Sequence, residues 1–212
     1  KKMSPFDRNS IYGMYNRTEN YQTDCSYISQ IKAFKDNVSI KSCLSYTFSV
    51  SNSQGASLIK DRPFTAEMTR SIMLLKEKPY RPRMADYRIG VFFTGREQLG
   101  EGAKTTAPVY YANRWDIQPS DTAAYLRGEK VKPTKQIVFY IDNTFPEKWK
   151  PYLREGVTQW NELFEQIGFK DVVAAKDFPT DDPEFDPDNI KYSCVRYAPS
   201  SIENAMGPSW VD

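Results

Sequence analysis

The charge of this chain is balanced: of 212 residues, 29 are basic, 27 are acidic and none is histidine, which leaves a net charge of +2. Scattered charges in such a balance give no electrostatic reason to expect a nucleic-acid or membrane-surface partner. Without histidine, the sequence itself excludes a serine or cysteine nucleophile activated by a histidine base. No apolar run approaches the ~20 residues of a membrane-spanning helix, and no signal peptide is recognisable.

A β-rich pattern dominates the first 130 residues. Residues 38–50 alternate between apolar and mainly small polar side chains with a period of two, which predicts a long strand with one buried face. Turn-forming residues follow at 52–55, and a second extended run covers 68–75. The two runs are typical of antiparallel strands.

Weaker signals surround these strands. A short helix is expected within 24–34, because Ile28, Ile31 and Phe34 recur three residues apart. Prolines interrupt 76–86, which we interpret as an extended connector. Short strands are also predicted at 87–93 and 109–115. Residues 116–135 are expected to be a linker or to hold a short helix around 121–127.

A strand followed by a helix opens the second part. Residues 136–142 predict a compact apolar strand. Thr144 and Glu147 fit a capping box, which predicts one long helix over 146–167, with Gly168 ending it. The large apolar residues expected on one face of this helix are Trp149, Leu153, Val157, Trp160, Phe164 and Ile167. Further strands are expected at 172–175, 190–198 and 205–211.

These elements predict an α+β chain with a domain boundary near residue 130. Residues 1–130 would form a β-rich accessory module with its extended connector, and 131–212 would form a mixed sheet with one long helix. Only part of the sheet needed to cover the helix is expected. A homo-oligomer would therefore supply the missing part, or an apolar patch of the helix would remain exposed.

The densest acidic cluster lies at 177–189. Its carboxylates could supply the oxygen ligands that Ca²⁺ prefers, although their spacing does not match an EF-hand loop. The alternative is a solvated, proline-stiffened loop whose aspartates bond to the nearby backbone. The candidate calcium ligands are Asp181, Asp182, Glu184, Asp186 and Asp188.

Several long blocks carry a resemblance to a known family. The blocks are 137–149, 155–161, 175–192 and 205–212. They resemble the start of the catalytic domain in a family of large secreted bacterial zinc-dependent metallopeptidases with a metzincin-like fold. Residues 38–93 also resemble the β-rich module that precedes the peptidase in that family.

The resemblance implies a zinc-dependent endopeptidase acting on peptide or protein substrates. In that family an H-E-x-x-H-x-x-G-x-x-H helix holds the zinc, and it would follow the present sequence. This chain would then be a truncated metzincin-like subdomain with its accessory module, inactive alone and without catalytic or zinc-binding residues. The parent would be secreted, periplasmic or at the cell surface.

Two site hypotheses follow from the resemblance. The order of elements makes 205–211 the edge strand that would bind extended substrate through its backbone. Asp86 in the connector could mask the zinc of the parent protein, or pair instead with Arg83 or Arg88. The candidate substrate-binding residues are Ala205, Met206, Gly207, Pro208, Ser209 and Trp210.

A second class of function remains open from the residues alone. The tyrosines of the first half could serve a non-enzymatic extracellular module that binds glycan or protein. An aromatic groove on residues 1–115 would favour that class.

Overall fold

The computed structural model describes residues 15–77, 80–100, 102, 105–199, 205 and 207. The chain forms two compact units. The first contains the residues up to Leu74 together with Asp186–Lys191, and the second contains Leu75–Phe185 and the residues from Tyr192 onward.

The first unit is built on a four-stranded antiparallel sheet. Its strands are β1 (Tyr15–Tyr21), β2 (Tyr27–Ala33), β3 (Asn37–Asn52) and β4 (Ser57–Met73). β4 pairs along one edge of β3, whereas β2 and β1 pair with successive halves of its other edge. The strand predicted at 38–50 is confirmed, with Leu44 and Tyr46 buried on its apolar face.

The helix predicted within 24–34 is wrong, because Ile28 and Ile31 lie in strand β2. The register of β2 against β3 shifts between Ile28 and Gln30, which is a β-bulge. The extra residue turns Ile28 and Ile31 to the same face of the sheet, although they are three residues apart. The spacing that suggested a helix therefore arises from a bulged strand.

A β-hairpin of the second unit pairs β5 (Phe93–Leu99) with β6 (Thr106–Ala112). The strand predicted at 87–93 is wrong, because this stretch is turn and irregular backbone until β5 begins. The connector runs along the other edge of β6. There the Ala85 N–H donates to the Tyr110 carbonyl (2.8 Å), and the Ala112 N–H donates to the Arg83 carbonyl (2.8 Å).

A three-stranded parallel sheet follows in the second unit, in the order β8-β7-β9. Two helices connect β7 to β8, as parallel pairing requires a crossover. The elements of this part are α1 (Thr122–Leu126), β7 (Ile137–Ile141), α2 (Lys150–Thr158), α3 (Trp160–Gln166), β8 (Val173–Asp177) and β9 (Ser193–Val195).

The helix predicted to begin after a Thr144 cap begins later. α2 begins at Lys150, with Pro151 in its first turn, where proline needs no hydrogen-bond partner. Thr144 does not cap it: its N–H and its hydroxyl both donate to Asp142 Oδ1, at 2.9 and 2.8 Å. The hydroxyl of Thr144 is therefore bonded to the Asp142 carboxylate and does not cap the helix.

The predicted helix is also divided. α2 ends and α3 begins around Gln159. Val157 and Phe164 pack against the core of the second unit, whereas Trp160 is 59% exposed. Only part of the predicted apolar face is therefore covered. Gly168 follows α3 with φ +88°, the left-handed conformation predicted for it.

The α+β expectation for the whole chain is wrong. Strands account for 43% of the structure and helices for 13%, and the strands form several small sheets. The strand predicted at 109–115 overlaps β6. The sequence pattern missed its partner β5, because the middle of that strand, at residues 96–98, is polar. In the described part of the chain no helix is long and apolar enough to cross a membrane.

One amide side chain joins the helices of the second unit to its sheet. Asn161 Nδ2 in α3 donates to the Val173 carbonyl (2.8 Å), and its Oδ1 accepts the N–H groups of Val172 (2.9 Å) and Val173 (2.8 Å). Val172 is fully buried and Val173 is 5% exposed, so water cannot replace these bonds.

We predict that Asn161→Ala lowers the free energy of unfolding by about 2–4 kcal/mol, because it leaves buried backbone groups without partners. Chemical denaturation of the wild type and the variant measures this loss. Gln166→Ala is the matched control, since Gln166 is exposed on the same helix. Equal stability of the two variants would contradict the assigned role of Asn161.

Candidate functional site

Polar residues follow the parallel strands of the second unit where their carboxyl ends meet. Asp142 comes directly after β7, Asp177 ends β8, and Arg196 follows β9. Ligands of open parallel sheets bind outside this edge. A ligand site of this sheet is therefore expected at this edge.

Asp142 is the central acceptor at this edge and is 7% exposed. Its Oδ1 accepts the N–H and the hydroxyl of Thr144 (2.9 and 2.8 Å), and its Oδ2 lies 3.3 Å from Arg196 Nε. Its own N–H donates to the Val195 carbonyl (3.0 Å). The carboxylate thus joins the segments that follow β7 and β9.

The environment of Asp142 keeps it ionised. Burial raises the pKa of the carboxyl, but the bonds donated by Thr144 and by the Tyr197 N–H, with the charge of Arg196, outweigh burial and hold that pKa below its usual value. A carboxylate held in this way is a poor general base, whereas its bonds to Thr144 and Arg196 hold both of those side chains in place.

The second charged pair of the edge lies between α2 and β8. Arg154 Nη2 lies 2.7 Å from each oxygen of Asp177. Both side chains are about two-fifths exposed, at 40% and 45%. Such an exposed pair contributes little to stability.

An aromatic cluster covers part of the sheet. The ring of Phe185 lies 5.2 Å from Tyr140, 4.9 Å from Phe178 and 4.8 Å from Tyr192, measured between centroids. These distances are typical of favourable aromatic pairs. Tyr140 lies near the end of β7 and Phe178 directly follows β8, so aromatic packing and paired charges lie at the same edge, which suits positioning better than catalysis.

Asp142, Arg154 and Arg196 are not among the site residues predicted from the sequence. A usable signal was present for Asp142, because it is an acidic residue directly after a buried strand. No local pattern connects it with Arg196, which is distant in the sequence.

The candidate calcium ligands are divided between the units. Asp186 and Asp188, in the first unit, bind Lys32: its Nζ lies 2.8 Å from Asp186 Oδ2 and 2.8 Å from Asp188 Oδ2. These bonds raise the pKa of the Lys32 ammonium above its usual value, more than burial lowers it. A cation therefore already lies between these two carboxylates.

The other candidate ligands belong to the second unit. Asp182 Oδ1 accepts the Glu184 N–H (2.9 Å), the local backbone bond expected of a proline-stiffened loop. Asp181 and Glu184 are exposed. Among the described residues no group of three or more His, Cys, Asp or Glu side chains is arranged to hold a metal. The calcium site stays a prediction.

The predicted substrate strand lies mostly outside the described residues. Ala205 and Gly207 are exposed and have no regular structure. Met206, Pro208, Ser209 and Trp210 lie outside the described part of the chain, so the edge-strand hypothesis stays a prediction.

Asp86, the candidate masking residue, pairs with a neighbour. Arg88 donates to it through Nε (2.9 Å to Oδ1), Nη2 (2.6 Å to Oδ2) and its backbone N–H (2.9 Å to Oδ1). The side-chain bond from Arg88, and then the backbone bond, lower the pKa of Asp86. Pairing with Arg88 is one of the two alternatives expected from the sequence, and the masking role stays a prediction.

Comparison with known families gives one match. The family described as "Domain of unknown function (DUF5117)" matches residues 1–120, which is more than half of the chain. This chain belongs to that family. The matched segment contains β1 to β6 and ends before α1, so the parallel sheet and the Asp142 edge lie beyond it. No curated protein and no solved structure matches the chain.

We predict that Asp142→Asn lowers the free energy of unfolding by about 1–3 kcal/mol at pH 7, because bonds to a charged acceptor become bonds to a neutral one. The pKa of Asp142 is lower in the folded state, so the folded protein binds fewer protons. The contribution is thus present above the unfolded pKa of about 3.9 and is lost as the pH falls through the folded pKa.

Chemical denaturation at pH 7 and near pH 3 measures the free energy of unfolding of the wild type and of Asp142→Asn. The difference between the two free energies should be smaller near pH 3 than at pH 7. Asp181→Asn is the control, since Asp181 is exposed, and its difference should stay near zero at both values. If the difference in free energy of unfolding between wild type and Asp142→Asn were the same at both pH values, the assigned ionisation of Asp142 would be refuted.

Proposed function

We propose that this chain is the N-terminal part of a secreted, periplasmic or cell-surface zinc-dependent metalloendopeptidase, inactive by itself. The observation that carries the proposal is the order of β7, a helical crossover, β8 and β9 in a region that resembles the start of such a catalytic domain. The DUF5117 segment would be its accessory module, and peptides or proteins its substrates.

The residues of this chain do not fit a zinc site of their own. The sequence has no histidine, and in the described part no acidic and cysteine side chains form a group that could hold a metal. The zinc ligands would therefore come from residues outside this sequence. The contribution of the present residues would be to support and orient that part.

Zinc content and peptide cleavage test this proposal on the complete product of the encoding reading frame and on the 212-residue chain. We expect about one bound zinc and chelator-sensitive cleavage of casein for the complete product, and neither for the chain alone. A complete product without bound zinc, or one whose cleavage resists chelation, would refute the peptidase proposal.

An exposed aromatic pair favours a second candidate, a glycan-binding β module. Phe93 and Tyr110 on the β5–β6 hairpin are 57% and 47% exposed, and their ring centroids are 5.2 Å apart with an edge-to-face geometry. Such rings can stack on sugars.

For this candidate we predict that Tyr110→Ala weakens binding of cellohexaose about fivefold, the loss expected for one stacked ring. Isothermal titration calorimetry measures the dissociation constant. Leu99→Ala is the control, because Leu99 is an exposed apolar residue of the same hairpin. Absence of cellohexaose binding by the wild type, or equal weakening in both variants, would count against the candidate.

A further inference from the structure

A cleft of about 320 Å³ in the second unit is lined by Arg81, Pro82, Arg83 and Arg114. All four residues are exposed. Of the side chains that line it, three are guanidinium groups and none is a carboxylate. None of the residues that line the cleft belongs to the Asp142 edge or to the aromatic pair, and the interpretation of the cleft does not depend on the proposed peptidase.

The backbone brings these arginines together. Met84 and Tyr111 form an antiparallel bridge. Continued along both segments, this register places Arg81 opposite Arg114. Arg83 lies two residues from Arg81, on the same side of the extended connector, because side chains of extended backbone alternate.

Arg114 is held in place within the cleft. Its Nη2 donates to the Arg81 carbonyl (2.6 Å), and its guanidinium carbon lies 3.9 Å from the centroid of the Tyr80 ring. The proline ring of Pro82 restricts the connector between the other two arginines. The cleft is therefore partly organised before any ligand binds, which lowers the entropic cost of binding.

The positive charge of the cleft is not balanced locally. In the described part of the chain, the guanidinium groups of Arg81, Arg83 and Arg114 form no ion pair, and those of Arg81 and Arg83 make no hydrogen bond. Like charges opposite each other on adjacent strands are destabilising. A bound anion would remove that repulsion.

We propose that this cleft binds a tetrahedral oxyanion with two negative charges, a phosphate or sulfate group. Guanidinium groups bind carboxylates and phosphates through paired N–H donors. One arginine already satisfies both oxygens of a carboxylate, whereas a tetrahedral dianion offers acceptors and charge for all three. The group could be a free ion or an ester on a larger ligand.

Calorimetric titration of the full chain with inorganic phosphate, inorganic sulfate and glucose 6-phosphate tests the proposal, with acetate at matched ionic strength as the monovalent comparison. We expect the dianions to bind at least about tenfold more tightly than acetate. Arg83→Gln and Arg81→Gln should each weaken binding about tenfold, as expected for loss of a charge-assisted contact.

Arg96→Gln is the matched control, because Arg96 is an exposed arginine of the neighbouring β5 strand that does not line the cleft. Tighter binding of glucose 6-phosphate than of phosphate would identify an ester ligand, and equal binding would identify the free ion; both support the site. No dianion binding, acetate binding as tight as phosphate, or equal weakening in Arg96→Gln and Arg83→Gln would overturn it.

Discussion

The first unit depends on the length of β3, because this strand supplies the pairing for every other strand of the sheet. β4 occupies one edge, and β1 and β2 share the other. A shorter β3 could not pair with both β1 and β2, and one of them would keep an open edge of unpaired backbone groups.

The start of β3 also fixes a distant part of the chain. Asn37 is 3% exposed; its Nδ2 donates to Ser71 Oγ and to the Asp188 carbonyl (both 2.9 Å), and its Oδ1 accepts the Ile190 N–H (3.2 Å). A buried amide must find partners, and here they belong to the returning segment 186–191. With the Lys32 pairs, this amide explains why that segment belongs to the first unit.

The predictability of the fold follows from how local each constraint is. The alternation that predicts β3 is local to that strand. The short helix predicted around 121–127 forms as α1, where the Asp121 carboxylate accepts the Ala124 N–H as a local cap. The bulge of β2 is set by pairing with β3, and the polar centre of β5 gains its strand conformation from β6. Such tertiary constraints override local propensity.

The partners of the charged site residues also depend on tertiary pairing, so local sequence patterns do not predict them. Asp142 and Arg196 meet because two parallel strands end at one edge, and Lys32 meets Asp186 because the acidic segment returns to the first sheet. The sequence showed the acidic cluster at 177–189 but not the cation that it contacts. Residue types in the sequence therefore indicate where charged groups occur, but the partner of each charged group is known only from the strand topology.

The net charge of a chain likewise does not show where charged groups are concentrated in the fold. Several arginines have acidic partners, as in the pairs of Arg88 with Asp86, Arg127 with Glu129 and Arg154 with Asp177. Within the described residues the arginines of the cleft have no acidic partner, and they lie on two segments that the β6 edge brings together. A chain with a net charge of +2 can thus hold a concentrated cationic site, since the field that an anion meets is set by nearby groups and screened beyond about 10 Å.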